Sequence, residues 1–144
     1  MSSKLLVFPL LALVGAAGCG GGPFDFASVS GVVTLDGEPL SNAIVRFIPQ
    51  RSGESTLVGP TSHAVTNEEG RFRLETYQGR NGAVVGPHVV SVSTLEQRLV
   101  DPKNSDKVEI VTPERVPKRY RNPSELEFDV PSGGTDDADF ELTS

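Results

Sequence analysis

Apolar and polar residues alternate with a period of two along much of this chain, as in β-strands that bury one face. The first such run is residues 29–35, whose odd-numbered positions share a face. Val45 and Phe47 continue the pattern beyond Asp36-Gly37, a pair that favours a tight turn because it tolerates positive φ. We therefore expect two β-strands here, paired with each other.

Five more alternating runs follow, separated by turns rich in glycine, proline and acidic residues. Few segments show the 3.6-residue apolar period of a helix. The pattern predicts an all-β domain, a seven-stranded antiparallel Greek-key sandwich. The later runs are 62–66, 71–76, 88–94, 126–130 and 138–142, and their predicted inward residues include Phe72, Leu74, Val90, Val92, Leu126, Phe128, Val130, Ala138, Phe140 and Leu142.

The connection from Leu95 to Arg119 is harder to interpret because it mixes many charges with one short apolar patch, Val108 to Val111. A connection of this length without structure of its own is uncommon in a small domain. We expect either an additional short strand at the apolar patch or a mobile functional loop.

The amino terminus has the features of a signal peptide, residues 1–18. Lys4 precedes an apolar run, Leu5 to Val14, which is too short to span a bilayer comfortably and leads into small residues. Cys19, the only cysteine, comes next. A lone thiol in an exported protein invites wrong disulfides, so this position favours lipidation. A plain secretory signal with an incidental cysteine and an uncleaved membrane anchor are the alternatives.

The segment Ala16-Ala17-Gly18-Cys19 resembles a bacterial lipobox. The resemblance implies that Cys19 becomes the lipidated amino terminus, carrying acyl chains such as palmitate, which hold the protein on a membrane of the cell envelope. Gly20 stands where many such lipoproteins have an aspartate for inner-membrane retention, so the resemblance favours the outer membrane. Residues 19–27 would be the tether and residues 28–144 the folded domain.

The charge balance argues against nucleic acid as a partner. The chain has 13 basic and 19 acidic residues, a formal net charge of −6. Loss of residues 1–18 would remove Lys4 and leave about −7. No basic excess remains to attract phosphate backbones or anionic headgroups.

Three motifs resemble those of the carboxypeptidase regulatory-like domains, which share the prealbumin-like (transthyretin-like) sandwich. They are Gly31 to Phe47, Thr66 to Leu74 with its turn ending in Gly70, and Gly86 to Ser93. Together with the lipobox-like segment, these motifs make the whole chain resemble a small bacterial lipoprotein of this group. The resemblance implies a fold but says little about activity.

No set of residues indicates catalysis. His63, Tyr77, His88 and Tyr120 do not follow the order of the iron-binding Tyr and His residues in intradiol dioxygenases, and the Tyr-Arg-Gly-Ser ending of the transthyretin-like hydroxyisourate hydrolases is absent. No local pattern pairs either histidine with a nucleophile as a general base. We expect no enzyme activity, no catalytic residues, no metal site and no cofactor.

The most distinctive polar cluster is Lys118, Arg119, Tyr120 and Arg121. It is either a recognition patch for carboxylates or an acidic polymer, or an extended crossover, set by flanking prolines, whose Tyr ring seals the sandwich; the second interpretation is favoured. The acidic turn with Asp136, Asp137 and Asp139 is interpreted as solvated rather than as a calcium site.

The sequence predicts a non-catalytic, lipid-anchored envelope module that acts in binding or structural support. Its partner would be an envelope protein or a polysaccharide. The alternative function is a glycan-binding module, for which Tyr77 and Tyr120 are the candidate aromatic platforms; an enzyme is the less favoured third.

Overall fold

The structure, a computed structural model, describes residues 22–144, which form an all-β fold. The signal segment and Cys19 lie outside the described residues. The described part has one 3-10 turn, Lys118–Tyr120, and no helix long and apolar enough to cross a membrane. It has thirteen strands where the sequence predicts seven, because four are two-residue strands and some predicted runs are divided. The strands are β1 Phe26–Ala27, β2 Ser30–Leu35, β3 Glu38–Pro39, β4 Ile44–Pro49, β5 Ser62–Val65, β6 Arg71–Arg73, β7 Glu75–Thr76, β8 Ala83–Val84, β9 Gly86–Ser93, β10 Glu96–Asp101, β11 Asn104–Thr112, β12 Leu126–Val130 and β13 Phe140–Leu142.

Two main sheets form the body. The larger has five antiparallel strands in the order β12-β9-β4-β5-β7. The smaller is built on β2, which pairs with β13, β3 and β6. The pairing of β13 with β2 is parallel, with Phe140 opposite Val33, so the prediction of an entirely antiparallel fold is wrong at this pair. The remaining pairs of named strands are antiparallel among the described residues.

The apolar core lies between these sheets and is organised around Phe47, whose side chain is fully buried. Three other rings surround it: Phe72, Phe128 and Phe140 have centroids 6.3, 5.6 and 5.9 Å from that of Phe47. Aromatic rings at such separations add a geometric preference to the burial of their area. The alternation in the sequence therefore predicted the inward faces of the strands correctly.

The two opening strands do not pair with each other, and this expectation is wrong. Asp36 and Gly37 have φ values of 51° and 81°, so they make a two-residue turn that returns the chain against β2 as β3. The chain then turns at Asn42, with φ 54°, and enters the opposite sheet as β4. Since β3 occupies the hairpin position beside β2, β4 pairs with β5 and β9 instead.

The predicted strand 71–76 is also divided between the sheets. Residues of β6 pair with β2, whereas β7 pairs with β5. Leu74, between them, is fully buried and its N–H donates to the carbonyl of Val29. The chain therefore joins the two sheets at this side of the sandwich.

Candidate functional site

The segment between Glu96 and Thr112 forms a hairpin outside the two main sheets; we call it the β10–β11 hairpin. Its strands pair only with each other among the described residues, with Leu99 opposite Val108 and Gln97 opposite Ile110. Of the two alternatives for this connection, a short strand at residues 108–111 or a mobile loop, β11 confirms the strand, which is longer than expected at nine residues. β10 was not predicted.

Aliphatic side chains of the hairpin are exposed to solvent. Leu99, Val108 and Ile110 have exposed fractions of 51%, 49% and 61%, and their register places them on one face. Val100 and Val111 are also exposed. The Arg98–Glu109 ion pair, 3.0 Å apart, lies at directly opposed positions of the two strands. Clustered exposed aliphatic groups on a protruding ribbon are typical of an interaction surface.

Glu114 fixes the base of the hairpin to the body. Its carboxylate accepts hydrogen bonds from the Ser93 hydroxyl, from the N–H and hydroxyl of Thr94, and from the N–H of Val116. The Thr94 hydroxyl oxygen also lies 3.1 Å from the carbonyl oxygen of Pro113 and accepts a hydrogen bond from the N–H of Arg115. These bonds join the residues on either side of the hairpin, so its two ends leave the body at a defined place.

The same bonds affect the ionisation of Glu114. Burial alone would raise the pKa of this carboxyl, but the hydrogen bonds from Ser93, Thr94 and Val116 outweigh burial and lower the pKa below its usual value. The carboxylate form is therefore the one that the base of the hairpin requires.

The predicted cluster 118–121 is largely committed to contacts within the chain. Arg119 donates to the carbonyl and the hydroxyl of Thr143, and the Tyr120 hydroxyl lies 3.3 Å from the Thr143 hydroxyl. The Tyr120 ring packs, partly buried, against the core. Arg121 has a buried Nε with no hydrogen-bond partner in the described part of the chain, and Lys118 begins the 3-10 turn. This placement favours the sealing interpretation for Tyr120, but the expectation of an extended crossover is wrong, because residues 118–120 form a 3-10 turn.

The two histidines lie in different environments, one in the core and one beside an exposed ring. His88 is almost fully buried against Phe47, and its Nδ1 lies 2.9 Å from the carbonyl oxygen of Gly86. Burial lowers the pKa of His88, which favours the neutral ring. His63 stacks on Tyr77 with ring centroids 4.2 Å apart, and the Tyr77 side chain is largely exposed.

The acidic turn of residues 136–139 caps the small sheet. Asp136 accepts a hydrogen bond from the Ser30 hydroxyl, and Asp139 accepts one from the N–H of Val32. Within residues 22–144 no three His, Cys, Asp or Glu side chains are grouped as a metal site would require.

The hairpin was predicted only in part from the sequence, although its turn has a recognisable sequence pattern. Asp101-Pro102-Lys103-Asn104 is a turn sequence, with proline after an Asp whose carboxylate accepts the N–H of Lys103. Asp101 and Asn104 are opposed in the structure, so this turn closes the hairpin.

Comparisons with known proteins add little to this geometry. No protein-family model matches the sequence, and no curated protein matches it. Among solved structures, a 9R-lipoxygenase from Cyanothece PCC8801 is similar over 83% of this chain and 16% of its own length, with 11% identity and a TM-score of 0.36. That similarity supports no argument about fold or activity.

Proposed function

We propose that this protein is a non-catalytic, lipid-anchored module of the cell envelope that binds a partner through the β10–β11 hairpin. The observation that carries the proposal is the exposed hairpin with its face of Leu99, Val108 and Ile110. Two-stranded hairpins are marginal alone in water and gain stability when a further strand or surface covers them. An envelope protein that supplies such a surface is the partner class that fits best.

The proposed anchor is the Cys19 thioether, which rests on the lipobox-like sequence. The first described strand, β1, begins at Phe26 and pairs with β8, and Ala27 is buried. A tether of about six residues reaches about 10–15 Å by random-coil scaling. The body would therefore stay near the bilayer, preferably the outer membrane, and could meet only partners held close to that surface.

We further propose that the sandwich has the prealbumin-like Greek-key arrangement of the carboxypeptidase regulatory-like domains. Support comes from the three motifs, each of which contains a residue with positive φ at a turn or at the start of a strand: Asp36 and Gly37 in the first, Gly70 in the second, and Gly86 at the start of β9 in the third. A solved structure of the domain, compared strand by strand with that family, tests this arrangement.

The binding proposal is tested by cross-linking the full chain in its native membrane and identifying the cross-linked proteins. A hairpin variant with Leu99→Ser, Val108→Ser and Ile110→Ser is expected to lose those partners while keeping its membrane association. A matched variant with the exposed residues Leu57→Ser and Val65→Ser is expected to keep them. Retention of every partner by the hairpin variant would contradict the proposal.

The anchor is tested separately with Cys19→Ala. This variant is expected to leave the membrane fraction, and mass spectrometry of the wild-type amino terminus is expected to find residue 19 acylated. A wild-type protein with an unmodified residue 19 would contradict the proposed anchor.

Glycan binding is a second candidate, and the exposure of Tyr77 is the observation that favours it. The Tyr77 ring is stacked on His63 and largely open to solvent, whereas Tyr120 is partly buried. Aromatic faces held in this way can stack on sugar rings. In pull-downs with envelope polysaccharide, Tyr77→Ala is expected to lose binding and Tyr120→Phe to keep it; no binding by the wild-type protein would remove this candidate.

A further inference from the structure

We propose that the partner of the β10–β11 hairpin is a second copy of this chain, paired antiparallel along β11 about a two-fold axis at Val108. The inference rests on the proposed function of the hairpin and names its partner. It is an isologous interface, in which each copy offers the same strand to the other.

The outer edge of β11 is open for such pairing. β11 is the longest strand of the described residues, with nine residues, no proline and no neighbour other than β10. β10 offers a shorter edge of six residues. Open strand edges present unpaired N–H and C=O groups, which another strand can satisfy. The hairpin therefore has the backbone groups for one more strand on each side, with the longer run on β11.

The register follows from the charges beside Val108. A two-fold axis perpendicular to the sheet keeps each face continuous and places residue 108 opposite its own copy. Lys107 then lies opposite Glu109 of the second copy, and the pair occurs twice. An axis at Lys107 would oppose two lysines, and an axis at Glu109 would oppose two glutamates. Only the axis at Val108, of these three, gives complementary charges.

The apolar face also becomes larger in this register. Residues 108–110 pair regularly with Gln97 to Leu99, because the irregularities of the hairpin lie on either side of that stretch. Leu99, Val108 and Ile110 of both copies then lie on the same face of a four-stranded sheet. Six aliphatic side chains come together where each copy alone exposes three.

Disulfide formation between copies tests directly whether the two-fold axis lies at Val108. In the full chain in its membrane, mild oxidation of Val108→Cys is expected to give a covalent dimer, because the two side chains are cross-strand neighbours. Val100→Cys, which is more exposed than position 108 but lies on β10, is expected to remain monomeric. The wild-type protein, whose Cys19 sulfur is a thioether under the proposed function, is expected to give no covalent dimer and is the control. Equal dimer formation at both positions, or none at position 108, would overturn the proposal.

A charge swap tests the register independently of the disulfide. Lys107→Glu and Glu109→Lys are each expected to weaken association about tenfold or more, since each creates two like-charge pairs per dimer. Because Glu109 also pairs with Arg98 within the hairpin, the double variant is made together with Arg98→Glu, which restores opposite charges both within the hairpin and between the copies, and it is expected to recover association. Failure of this combined variant to recover, while the body stays folded, would overturn this register.

The two proposals fail in different ways. If Val108→Cys stays monomeric and the serine variant of the hairpin loses a different cross-linked protein, self-pairing is overturned and binding through the hairpin stands. If position 108 gives no dimer and the serine variant keeps every partner, both are overturned.

Discussion

β9 and β11 are strands of similar length and similar aliphatic content, yet one is buried and the other is exposed. In β9, Val90 and Val92 are inaccessible to solvent, whereas in β11 Val108 and Ile110 are about half exposed. The difference lies in what covers them: β9 lies between β4 and β12 and faces the small sheet, but β11 has only β10. A strand-forming sequence thus becomes stabilising only when a second layer covers its apolar face.

The buried side chains of the sandwich stabilise the fold, whereas the exposed side chains of the hairpin are available for interaction. Complete burial of a valine or phenylalanine side chain contributes about 1.5–3 kcal/mol. The core side chains gain this free energy within one chain, whereas the hairpin side chains gain it only on association. The following substitutions measure the two regions separately.

The largest effect is expected for Phe47→Ala. This substitution removes the ring at the centre of the aromatic cluster and leaves a cavity, so the free energy of unfolding should fall by about 3–5 kcal/mol. Denaturant unfolding of the full chain in detergent measures it, with Ile110→Ala as the exposed control. A loss below about 1 kcal/mol would show that the core is not organised around this ring.

Gly31→Ala should lower the free energy of unfolding nearly as much, because the backbone of β2 at Gly31 lies very close to the backbone at Ala138. A Cβ at position 31 would lie 2.0 Å from the carbonyl oxygen of Ala138, which is backbone and cannot rotate away. We expect a loss of about 3 kcal/mol. Gly133→Ala, where an added Cβ meets nothing within 4 Å, is the matched control and should be close to neutral. Equal effects at the two sites would contradict the described packing.

Glu114→Gln should have an intermediate effect at the junction of the two regions. The amide cannot accept all the hydrogen bonds that the carboxylate accepts from Ser93, Thr94 and Val116, so a loss of about 2 kcal/mol is expected. Hydrogen exchange should show faster opening of the hairpin base than of β4. Unchanged exchange at Thr94 and Val116 would contradict this role.

The pH dependence of the same group has a definite sign. Because the folded pKa of Glu114 is lowered, its stabilisation is present above the unfolded value of about 4.5 and is lost as the pH falls through the folded pKa. Glu114→Gln should therefore flatten part of the acid limb of the stability curve. A limb identical to that of the wild-type protein would contradict the assignment.

The smallest effect on stability is expected for Ile110→Ser in the hairpin. This side chain is largely exposed, so the free energy of unfolding of the body should change by about 0.5 kcal/mol or less. Association should weaken in the same variant. If unfolding of the body became much easier, the hairpin would belong to the core rather than to an interaction surface.

The sequence predicted the buried faces of the sandwich well because their alternation extends over several residues. It predicted Phe72, Val90 and Phe140 as core residues, and each is buried. It paired β2 with β4 wrongly, because a two-residue turn and the following β3 are local features whose consequence, a change of sheet, depends on the rest of the fold.

The candidate site was less predictable for a different reason. The apolar patch in the sequence predicted a strand at β11. Its side chains are exposed because no second sheet covers them, and the sequence of the strand alone does not indicate this. The 118–121 cluster, conspicuous in sequence, makes contacts with Thr143 that no local pattern indicates. The role of Glu114 likewise depends on Ser93 and Thr94, about twenty residues away in sequence.

Hydrogen exchange of the full chain, reconstituted in vesicles at low and high protein-to-lipid ratio, tests the contrast between body and hairpin most directly. The account predicts that amides of β11 become protected as the protein-to-lipid ratio rises, while those of β4 and β9 are protected equally at both ratios. If the amides of β11 exchange at the same rate at both ratios, whether slowly or quickly, the result would contradict this account.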